Sequence, residues 1–472
     1  MNKSILFVEP QNIETNFHGN IIYQPLLGPI TLATQLYELG YNVTVIKETL
    51  IDEDTLNNAL KDADILILTL LTASAKRGYR IAEKYKKNRP DGRVIAGGIH
   101  VSFVPDEAIQ YVDQVAIGEG HSIIQDLVDG KNSEKIVHGS PVEDLDQLPI
   151  PHWPLLVNYQ KLTRIPIMAS LGCPFDCTFC CVTKMYGRKY RFQSPERTIE
   201  QLKHHFQQLG DYKVFFIDDN FSANKKNSLK LFDKIEENNL DFLWGCQIRA
   251  DVTKDEEFVK RMAEVGCHRV YVGYESINQN TLDSFKKKES LSDIEHSLAI
   301  FHKYGISVCG MFILGGDHDN LKVIEDTVSF ALKNNIEHTQ YSLIGPFPGT
   351  DVRKNLDKSR LAHNNWEMLD AYHVNIIPKQ MTEYELVMGL LYAHEKFYSW
   401  LKIVKQLWVD IQYIIINRRR SIGYRFRKLR EDIGKIFTYR NMIRTWKNAH
   451  AEYHKTLKEK HDLITNNSQP VE

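Results

Sequence analysis

The sequence predicts an α/β protein with two parallel sheets followed by a helical end. Short apolar runs alternate with stretches of helical spacing over residues 4–125, and the same alternation returns over residues 164–344. Strands that alternate with helices in this way form parallel sheets. From about residue 382 onward the spacing is helical only. At roughly 150 residues per domain, the 472 residues allow two or three domains.

The first alternation predicts a doubly wound parallel sheet, whose ligands would bind at the carboxyl ends of its strands. Those ends hold Gly97, Gly98 and His100 after the fourth strand, and Gly118 and Glu119 after the fifth. The glycines also fit a simpler interpretation, in which they only form tight turns. The predicted strands are Ser4–Glu9, Asn42–Lys47, Asp64–Leu70, Arg93–Gly97 and Val112–Ile117, and the predicted helices are Pro29–Leu39, Asp54–Lys61, Lys76–Lys87 and Pro105–Tyr111.

A linker and a second alternation follow. Three prolines within residues 149–154 predict an extended connector. Six strand–helix units then cover about 185 residues, which suits an open, partial (β/α)6 barrel better than a closed eight-stranded one. The predicted domains are residues 1–130, a linker over 131–160, the barrel over 161–375 and a helical extension over 376–472. The predicted strands are Arg164–Ser170, Lys213–Asp218, Asp241–Ile248, Arg269–Glu275, Ser307–Leu314 and Thr339–Ile344.

Four of the seven cysteines lie within residues 173–181, and residues 1–172 contain none. Cys173, Cys177 and Cys180 follow the first barrel strand with the spacing C-x-x-x-C-x-x-C. Three thiolates on one loop can hold three irons of a [4Fe–4S] cluster and leave the fourth iron open. A zinc site would need four ligands, and no second Cys/His pair has a suitable spacing. The remaining cysteines are interpreted as packing residues: Cys181, Cys246, Cys267 and Cys309.

Composition and charge argue against several classes of protein. No uncharged apolar run reaches 18 residues, and the first residues lack the layout of a signal peptide. Clustered thiolates then predict a reducing, cytoplasmic compartment rather than a disulfide scaffold. Residues 401–472 carry a formal charge of +9, whereas residues 1–400 carry −10. A nucleic-acid enzyme would carry positive charge around its site, so nucleic acid is disfavoured as a partner.

The cysteine motif resembles the C-x-x-x-C-x-φ-C signature of the radical S-adenosylmethionine (radical SAM) enzymes. Four further segments are similar to strand-end motifs of that family and follow in its order, over about residues 160–375. The resemblance implies one [4Fe–4S] cluster on the three cysteines, with SAM on the open iron. It also implies an external one-electron reductant such as flavodoxin or ferredoxin. The four segments are Phe215–Phe221, Gln247–Asp251, Tyr271–Ser276 and Gly310–Gly316.

The same resemblance assigns side chains to SAM. Asp218 and Asp219 would accept hydrogen bonds from its ammonium group, and Arg249 would bind its carboxylate. Glu275 would accept from a ribose hydroxyl or from the ammonium, and Phe179 would flank the adenine. Each side chain has an alternative: a helix N-cap for the aspartates, ion pairs at the barrel rim for the charged groups, and ordinary packing for Phe179. No catalytic residue is assigned.

The first sheet resembles the Rossmann/flavodoxin-like, cobalamin-binding-type domain that precedes many radical SAM modules. The resemblance lies in the segments Pro25–Pro29, Gly97–His100 and Gly118–His121. It implies a cavity at the strand ends for the nucleotide tail of cobalamin. The D-x-H-x-x-G motif is absent, and neither His18 nor His100 has its spacing, so we expect cobalamin without a histidine ligand.

These resemblances imply an enzyme that cleaves SAM to a 5′-deoxyadenosyl radical and methylates an unactivated carbon with the help of cobalamin. Two alternatives stay open. One is a radical SAM enzyme for cyclisation, rearrangement or carbon–carbon coupling with a vestigial cobalamin domain. The other is a non-catalytic corrinoid or redox sensor. Family members with additional clusters need further cysteines upstream or downstream, and this chain lacks the required number.

The helical extension carries basic clusters at Arg418–Arg420 and Arg425–Lys428 beside aromatic and aliphatic residues. Such a segment could lie on an anionic membrane as an interfacial helix. The alternative, which we favour, is a helical cap on the barrel with a solvated basic face. The membrane interpretation would slightly favour a lipid over another small molecule as the substrate, which the sequence does not identify.

Overall fold

The computed structural model of the protein describes residues 3–12, 24–210, 213–402, 404 and 422–466. His18 lies outside these residues. The first sheet consists of β1 (Ser4–Glu9), β2 (Asn42–Lys47), β3 (Ile65–Thr69), β4 (Arg93–Gly97), β5 (Gln114–Gly118) and β6 (Ile136–Gly139). All pairings are parallel, in the order β2-β1-β3-β4-β5-β6. The order 2-1-3-4-5 is that of flavodoxin-like folds, which confirms the predicted doubly wound sheet.

Both faces of this sheet are apolar, as expected for a parallel sheet between two helix layers. Ile5 and Phe7 point to one layer, while Leu6 and Val8, the alternate residues of β1, point to the other. The helices of this part are α1 (Leu27–Glu38), α2 (Glu53–Asp62), α3 (Ala75–Asn88), α4 (Ile99–Phe103), α5 (Pro105–Ala108) and α6 (Ile124–Asp129).

The predicted linker contains more structure than its prolines indicate. Strand β6 lies within residues 131–160 and extends the first sheet, so the prediction of an extended connector throughout that range is wrong at this point. β6 is only four residues long and has one fully buried residue, Val137, which explains why its pattern is weak. Further on, Trp153 is buried and donates from Nε1 to His205 Nδ1 at 2.8 Å, which fixes this segment on the barrel.

The second sheet is open and has six parallel strands, as the sequence predicts for a partial barrel. Its strands are β7 (Ile165–Ile167), β10 (Val214–Phe216), β11 (Trp244–Ile248), β12 (Cys267–Glu275), β13 (Ser307–Leu314) and β14 (His338–Leu343), hydrogen-bonded in that sequence. A separate antiparallel hairpin of β8 (Ser170–Leu171) and β9 (Arg191–Phe192) follows β7.

Helices cover the outside of the barrel strands. They are α7 (Val182–Tyr186), α8 (Pro195–Leu209), α9 (Lys225–Glu237), α10 (Glu256–Glu264), α11 (Gln279–Ser284), α12 (Leu291–Lys303), α13 (Leu321–Lys333) and α14 (Asp351–Asn355). Most begin at a side chain that accepts a hydrogen bond from the first turn; Ser290, for example, forms a capping box with Asp293 at the start of α12.

The chain ends in α15 (Glu383–Phe397), α16 (Ile422–Ala449) and α17 (Ala451–Asn466), which supports the predicted helical cap. Tyr398, directly after α15, donates from its hydroxyl to the Thr339 carbonyl of β14 at 2.6 Å, and Trp446 of α16 is buried. The basic cluster Arg418–Arg420 lies outside the described residues, as do the side chains of Arg425–Lys428. Among the described helices, none is long and apolar enough to cross a membrane.

Candidate active site

The cysteine motif forms the loop between β8 and α7, at the carboxyl end of the first barrel strand. Cys173, Cys177 and Cys180 are all partly buried, and none forms a disulfide. Gly172 precedes them with φ +90°, and a Cβ there would lie 3.2 Å from the Lys189 carbonyl oxygen. The glycine therefore permits the close return of the chain that places all three thiols on one loop.

Backbone hydrogen bonds fix this loop against two distant segments. The Thr178 N–H donates to the Phe285 carbonyl at 3.2 Å, and the Val352 N–H donates to the Thr178 carbonyl at 3.0 Å. The Cys180 N–H donates to the Cys177 carbonyl at 3.1 Å. These hydrogen bonds hold the cysteine loop in one backbone conformation.

Asp218 and Asp219 follow the second barrel strand and turn toward the cysteine loop. Asp218 is buried and accepts from the Ala169 N–H at 3.2 Å and from the Ser170 hydroxyl. Asp219 accepts from the Gly172 N–H at 3.1 Å. Burial raises the pKa of Asp218 to about 7 and that of Asp219 to about 6. Asn224, not an aspartate, caps α9, which rules out the N-cap alternative.

Arg249 and Glu275 belong to a buried network of charges below the loop. Arg249 Nη2 lies 2.9 Å from Glu289 Oε1 and donates to the Lys287 carbonyl at 2.8 Å, while its Cζ stacks 3.9 Å from the centre of the Phe175 ring. Lys287 Nζ donates to Glu275 Oε1 at 3.3 Å and lies 3.9 Å from Glu289 Oε2. Two cations and two anions are therefore enclosed together, so the fork of Arg249 is engaged within the protein.

Sequence reasoning missed Lys287 and Glu289. Both are buried, although the run Lys286-Lys287-Lys288-Glu289 has the composition of a solvated turn. Lys286 and Lys288 adopt φ of 54° and 56°, which turns Lys287 inward between two exposed lysines. Glu275 itself has φ 63°, a strained conformation of the kind that often occurs at functional sites. No pattern in the sequence signals these backbone angles.

Phe179 packs edge-on against Phe285, with ring centroids 5.2 Å apart. It contributes to a small apolar cluster whose buried members are Phe285, Ile344 and Ile376. A cavity of about 440 Å³ borders this cluster, lined on one side by Thr178 of the cysteine loop and on the other by the ends of β13 and β14. The predicted packing of Phe179 is therefore present, next to a space within the usual range of ligand pockets.

The strand ends of the first sheet combine glycines with a largely buried ion pair between Glu9 at the end of β1 and Lys47 at the end of β2. Gly98 has φ +103°, and a Cβ there would lie 2.8 Å from the Leu70 carbonyl oxygen. Gly118 has φ +80°. Gly28, in the first turn of α1, has nothing within 4 Å of its Cβ position. His100 is buried against Trp366 with its Nε2 3.7 Å from Glu107 Oε1, and burial lowers its pKa.

Comparison with known families identifies two domain types in the chain, one over each sheet. The radical SAM superfamily matches residues 167–331, and the B12 binding domain matches residues 25–128. The chain contains a radical SAM domain and a B12-binding domain. The first match includes Cys173, Cys177 and Cys180, and the second includes Gly97, Gly98 and Gly118.

Individual relatives cover most of the chain. Bacteriochlorophyllide d C-12(1)-methyltransferase of Chlorobaculum tepidum is 28% identical over 436 residues, which are 88% of this chain and 93% of the relative. Anaerobic magnesium-protoporphyrin IX monomethyl ester cyclase of Rubrivivax gelatinosus is 22% identical over 373 residues, which are 71% of this chain and 66% of the relative. The solved structure of the cobalamin-dependent S-adenosylmethionine radical enzyme OxsB shares the fold, with a TM-score of 0.67, 14% identity, and coverage of 100% of this chain and 82% of that one.

The radical SAM domain fits an iron–sulfur cluster by its donor set. Three partly buried cysteine thiols share one loop, and burial raises the pKa of Cys173 and Cys177 and brings that of Cys180 to about 12. Such thiols lose their protons when metal binds, because the ligand is the thiolate. Among the described residues no group of three or more His, Cys, Asp or Glu converges on a single ion, so the assignment rests on the donors and the loop. The domain types imply a [4Fe–4S] cluster, SAM and cobalamin as cofactors.

Proposed function

We propose that this radical SAM protein is a cobalamin-dependent C-methyltransferase that acts on an unactivated carbon of a small molecule or lipid. When bound, its cofactors supply two things: a radical, which removes a hydrogen atom from the substrate, and a methyl group, which takes the place of that hydrogen. The observation that carries the proposal is the contact between Arg191, on the hairpin of the cysteine loop, and Glu119, at the glycine-rich edge of the B12-binding domain. The similarity to a methyltransferase over 88% of the chain supports it.

The residues of the chain would hold and orient rather than react. The three cysteines would bind the cluster, and Asp218 and Asp219 would offer carboxylates to the ammonium group of SAM. Burial raises the pKa of each aspartate, and a cation bound beside it would lower that pKa again and favour the charged carboxylate. Glu275, already held by Lys287, would accept from a ribose hydroxyl. The glycine edge at Gly98 and Gly118 would admit cobalamin close to the backbone.

The test is a product analysis under anaerobic conditions. Protein produced with cobalamin is reconstituted with iron and sulfide, reduced, and given SAM that carries a deuterated methyl group, with bacteriochlorophyllides as the first substrate panel. We expect 5′-deoxyadenosine, S-adenosylhomocysteine and a product that carries deuterated methyl. Protein produced without cobalamin is the matched control and should lose the last two. Deoxyadenosine without S-adenosylhomocysteine in every panel would contradict methylation.

A cyclase is the second candidate, because a named cyclase is similar over 71% of the chain. The same assay separates the two candidates: a cyclase would form 5′-deoxyadenosine and a dehydrogenated or ring-closed product without transfer of deuterium. A sensor would form neither product at a catalytic rate. As electron donor we propose flavodoxin or ferredoxin, and replacement of the chemical reductant by either protein tests that choice.

We further propose a peripheral contact of the C-terminal region with anionic lipid. Trp400, Leu401 and Val404 follow α15 and are 60%, 82% and 64% exposed, and residues 401–472 carry a formal charge of +9. Wild-type protein should sediment with phosphatidylglycerol vesicles and not with phosphatidylcholine vesicles. Leu401→Asp should weaken this binding, whereas Leu39→Asp, at a 51% exposed position of the first domain, should not. Equal sedimentation of both variants with the wild type would contradict the contact.

A further inference from the structure

The two cofactor domains meet at a buried ion pair that the sequence analysis did not anticipate. Arg191 donates from Nη1 to Glu119 Oε2 at 3.0 Å and from Nη2 to Glu119 Oε1, and the two side chains are only 3% and 10% exposed. Val142 closes the contact, because its carbonyl accepts from Arg191 at 2.6 Å and its N–H donates to Glu119 at 2.8 Å. A bidentate pair of this kind fixes orientation as well as distance.

Arg191 lies on the hairpin that carries the cysteine loop. In the antiparallel pair of β8 and β9, Arg191 is directly opposite Leu171, which is two residues before Cys173. The base of the hairpin is closed by a hydrogen bond from the Gln193 N–H to the Ala169 carbonyl at 2.8 Å. A displacement of Arg191 is therefore passed directly to the first cluster ligand.

Glu119 lies at the cofactor edge of the B12-binding domain. It follows Gly118, the last residue of β5, which pairs with Gly139 of β6. A Cβ at Gly139 would lie 1.9 Å from the Glu119 carbonyl oxygen, so the backbone at Glu119 is tightly enclosed. Burial raises the pKa of Tyr186, the last residue of α7, to about 12, and the charges of Asp219, Glu119 and Arg191 also act on its phenol.

We propose that Glu119 and Arg191 are positioning residues, which hold the B12-binding domain at a fixed distance from the cluster loop. The proposal rests on the proposed function, in which both cofactors act on one carbon and a displacement of about 1 Å can cost roughly 100-fold in rate. It also gives Glu119 a role other than the direct cofactor contact expected from the sequence, because its two carboxylate oxygens are already engaged by Arg191 and Val142.

A second ion pair between the same two domains provides the matched control. Arg80 of α3 lies 2.7 Å from Glu367, which follows β14 in the second domain, but the Arg80 side chain is 52% exposed. Water and salt screen such a pair, so its loss changes little. Arg80→Gln removes the same type of charge from the same domain boundary and touches neither the cysteine loop nor β5.

The experiment measures magnetic interaction between the cofactors instead of turnover. Anaerobic protein loaded with cob(II)alamin and a reduced cluster is examined by electron paramagnetic resonance, because the nearby cluster speeds the relaxation of the cobalamin signal in a distance-dependent way. Cys177→Ala protein with cobalamin alone provides the baseline without a cluster. Arg191→Gln, Arg191→Lys, Glu119→Gln and Arg80→Gln are compared at equal iron and corrin content.

We expect wild type and Arg80→Gln to show the same accelerated relaxation, while Arg191→Gln and Glu119→Gln shift toward the baseline and Arg191→Lys falls between. Wild-type relaxation in Arg191→Gln or Glu119→Gln would overturn the positioning role. If Arg191→Gln fails to bind one of the cofactors, Glu119→Gln and Arg191→Lys are compared with the wild type instead. Wild-type relaxation in Glu119→Gln would then overturn the positioning role. Wild-type protein that relaxes like the baseline would instead contradict the proposed function, since its cofactors would then not be neighbours.

Discussion

The two sheets of this protein have the same number of parallel strands, yet their carboxyl edges differ in chemistry. The first edge has two glycines in left-handed conformations, Gly98 and Gly118, and its buried charges are already paired, as in Glu9 with Lys47. The second edge carries buried charges, Arg249 and Lys287 among them, beside the cysteine loop. Both edges lie where ligands of parallel sheets bind, so the difference is one of ligand type.

A glycine-rich edge whose charges are already paired suits a large ligand that is held by shape and by peptide groups. An edge with buried ion pairs suits a small zwitterion, such as an amino acid group, whose two charges would replace partners within those pairs. The contact of Arg191 with Glu119 joins the two edges. We therefore expect substitutions at the second edge to change cluster binding and the stability of the buried charges. Substitutions at the first edge should change the space available to its ligand.

The largest effect is expected from loss of one cluster ligand. Cys177→Ala should abolish iron and sulfide binding after anaerobic reconstitution, because two thiolates on the loop cannot hold a cubane. Cys181→Ala, at the partly buried cysteine next to Cys180, should retain wild-type iron content. Iron and sulfide analysis measures both, and full iron in Cys177→Ala would disprove the assignment of the ligands.

The next largest effect is expected where the charge network is broken. Lys287→Met leaves Glu275 and Glu289 buried without their ammonium partner, and loss of one partner of a buried pair costs about 3–5 kcal/mol. Urea denaturation of the cofactor-free protein measures this loss. Lys288→Met, at the exposed neighbouring residue, should change the free energy of unfolding little. Equal stability of the two variants would show that the network contributes nothing.

A smaller effect is expected from added bulk at the glycine-rich edge of the first sheet. Gly98→Ala forces a side chain into a conformation with φ +103° and within 2.8 Å of a carbonyl oxygen, at a cost of about 1–3 kcal/mol. We expect the free energy of unfolding to fall by this amount in urea denaturation. Because relief of the clash displaces the turn after β4, we also expect weaker cobalamin binding in equilibrium dialysis of corrin absorbance. Gly28→Ala has open space around its Cβ and should retain stability. Unchanged corrin binding in Gly98→Ala would remove this edge from the cobalamin site.

The smallest effect is a pH dependence of stability. The pKa of Asp218 is raised to about 7 by burial, so between pH 6 and pH 7 the folded protein binds more protons than the unfolded chain. Stability of the cofactor-free protein should therefore fall as pH rises through this interval, by about 1 kcal/mol. Asp218→Asn should flatten the profile, and Asp52→Asn, at a surface N-cap, should not. An identical slope in Asp218→Asn would assign the titration to another group.

Much of the fold could be predicted from the sequence, because the spacing of apolar residues reflects which side chains are buried. The bounds of β1, β2, β4 and β13 agree with the predicted strands, and the cysteine loop follows the first barrel strand as expected. Strand β6 was missed, since one fully buried residue in four leaves no apolar run. Short edge strands are stabilised by their neighbour and carry little signal of their own.

The site was predictable only where spacing within one segment carries the chemistry. The C-x-x-x-C-x-x-C loop is such a case. Lys287 and Glu289 are buried by a turn with two left-handed residues, and Arg191 meets Glu119 across 72 residues of sequence. These pairings depend on tertiary structure, and a charged residue in isolation is indistinguishable from a surface residue. The roles of Asp218, Arg249 and Glu275 toward SAM stay predictions.

The central claim is that one chain binds a cluster beside the cysteine loop at the edge of its second sheet and cobalamin at the glycine-rich edge of its first sheet. The direct measurement is iron, sulfide and corrin content of the same anaerobically purified sample, produced with cobalamin. We predict about four irons, about four sulfides and about one corrin per chain, with the corrin retained in Cys177→Ala after its iron is lost. Iron without corrin in the wild type, or loss of corrin together with iron in Cys177→Ala, would contradict two separate edges for two cofactors.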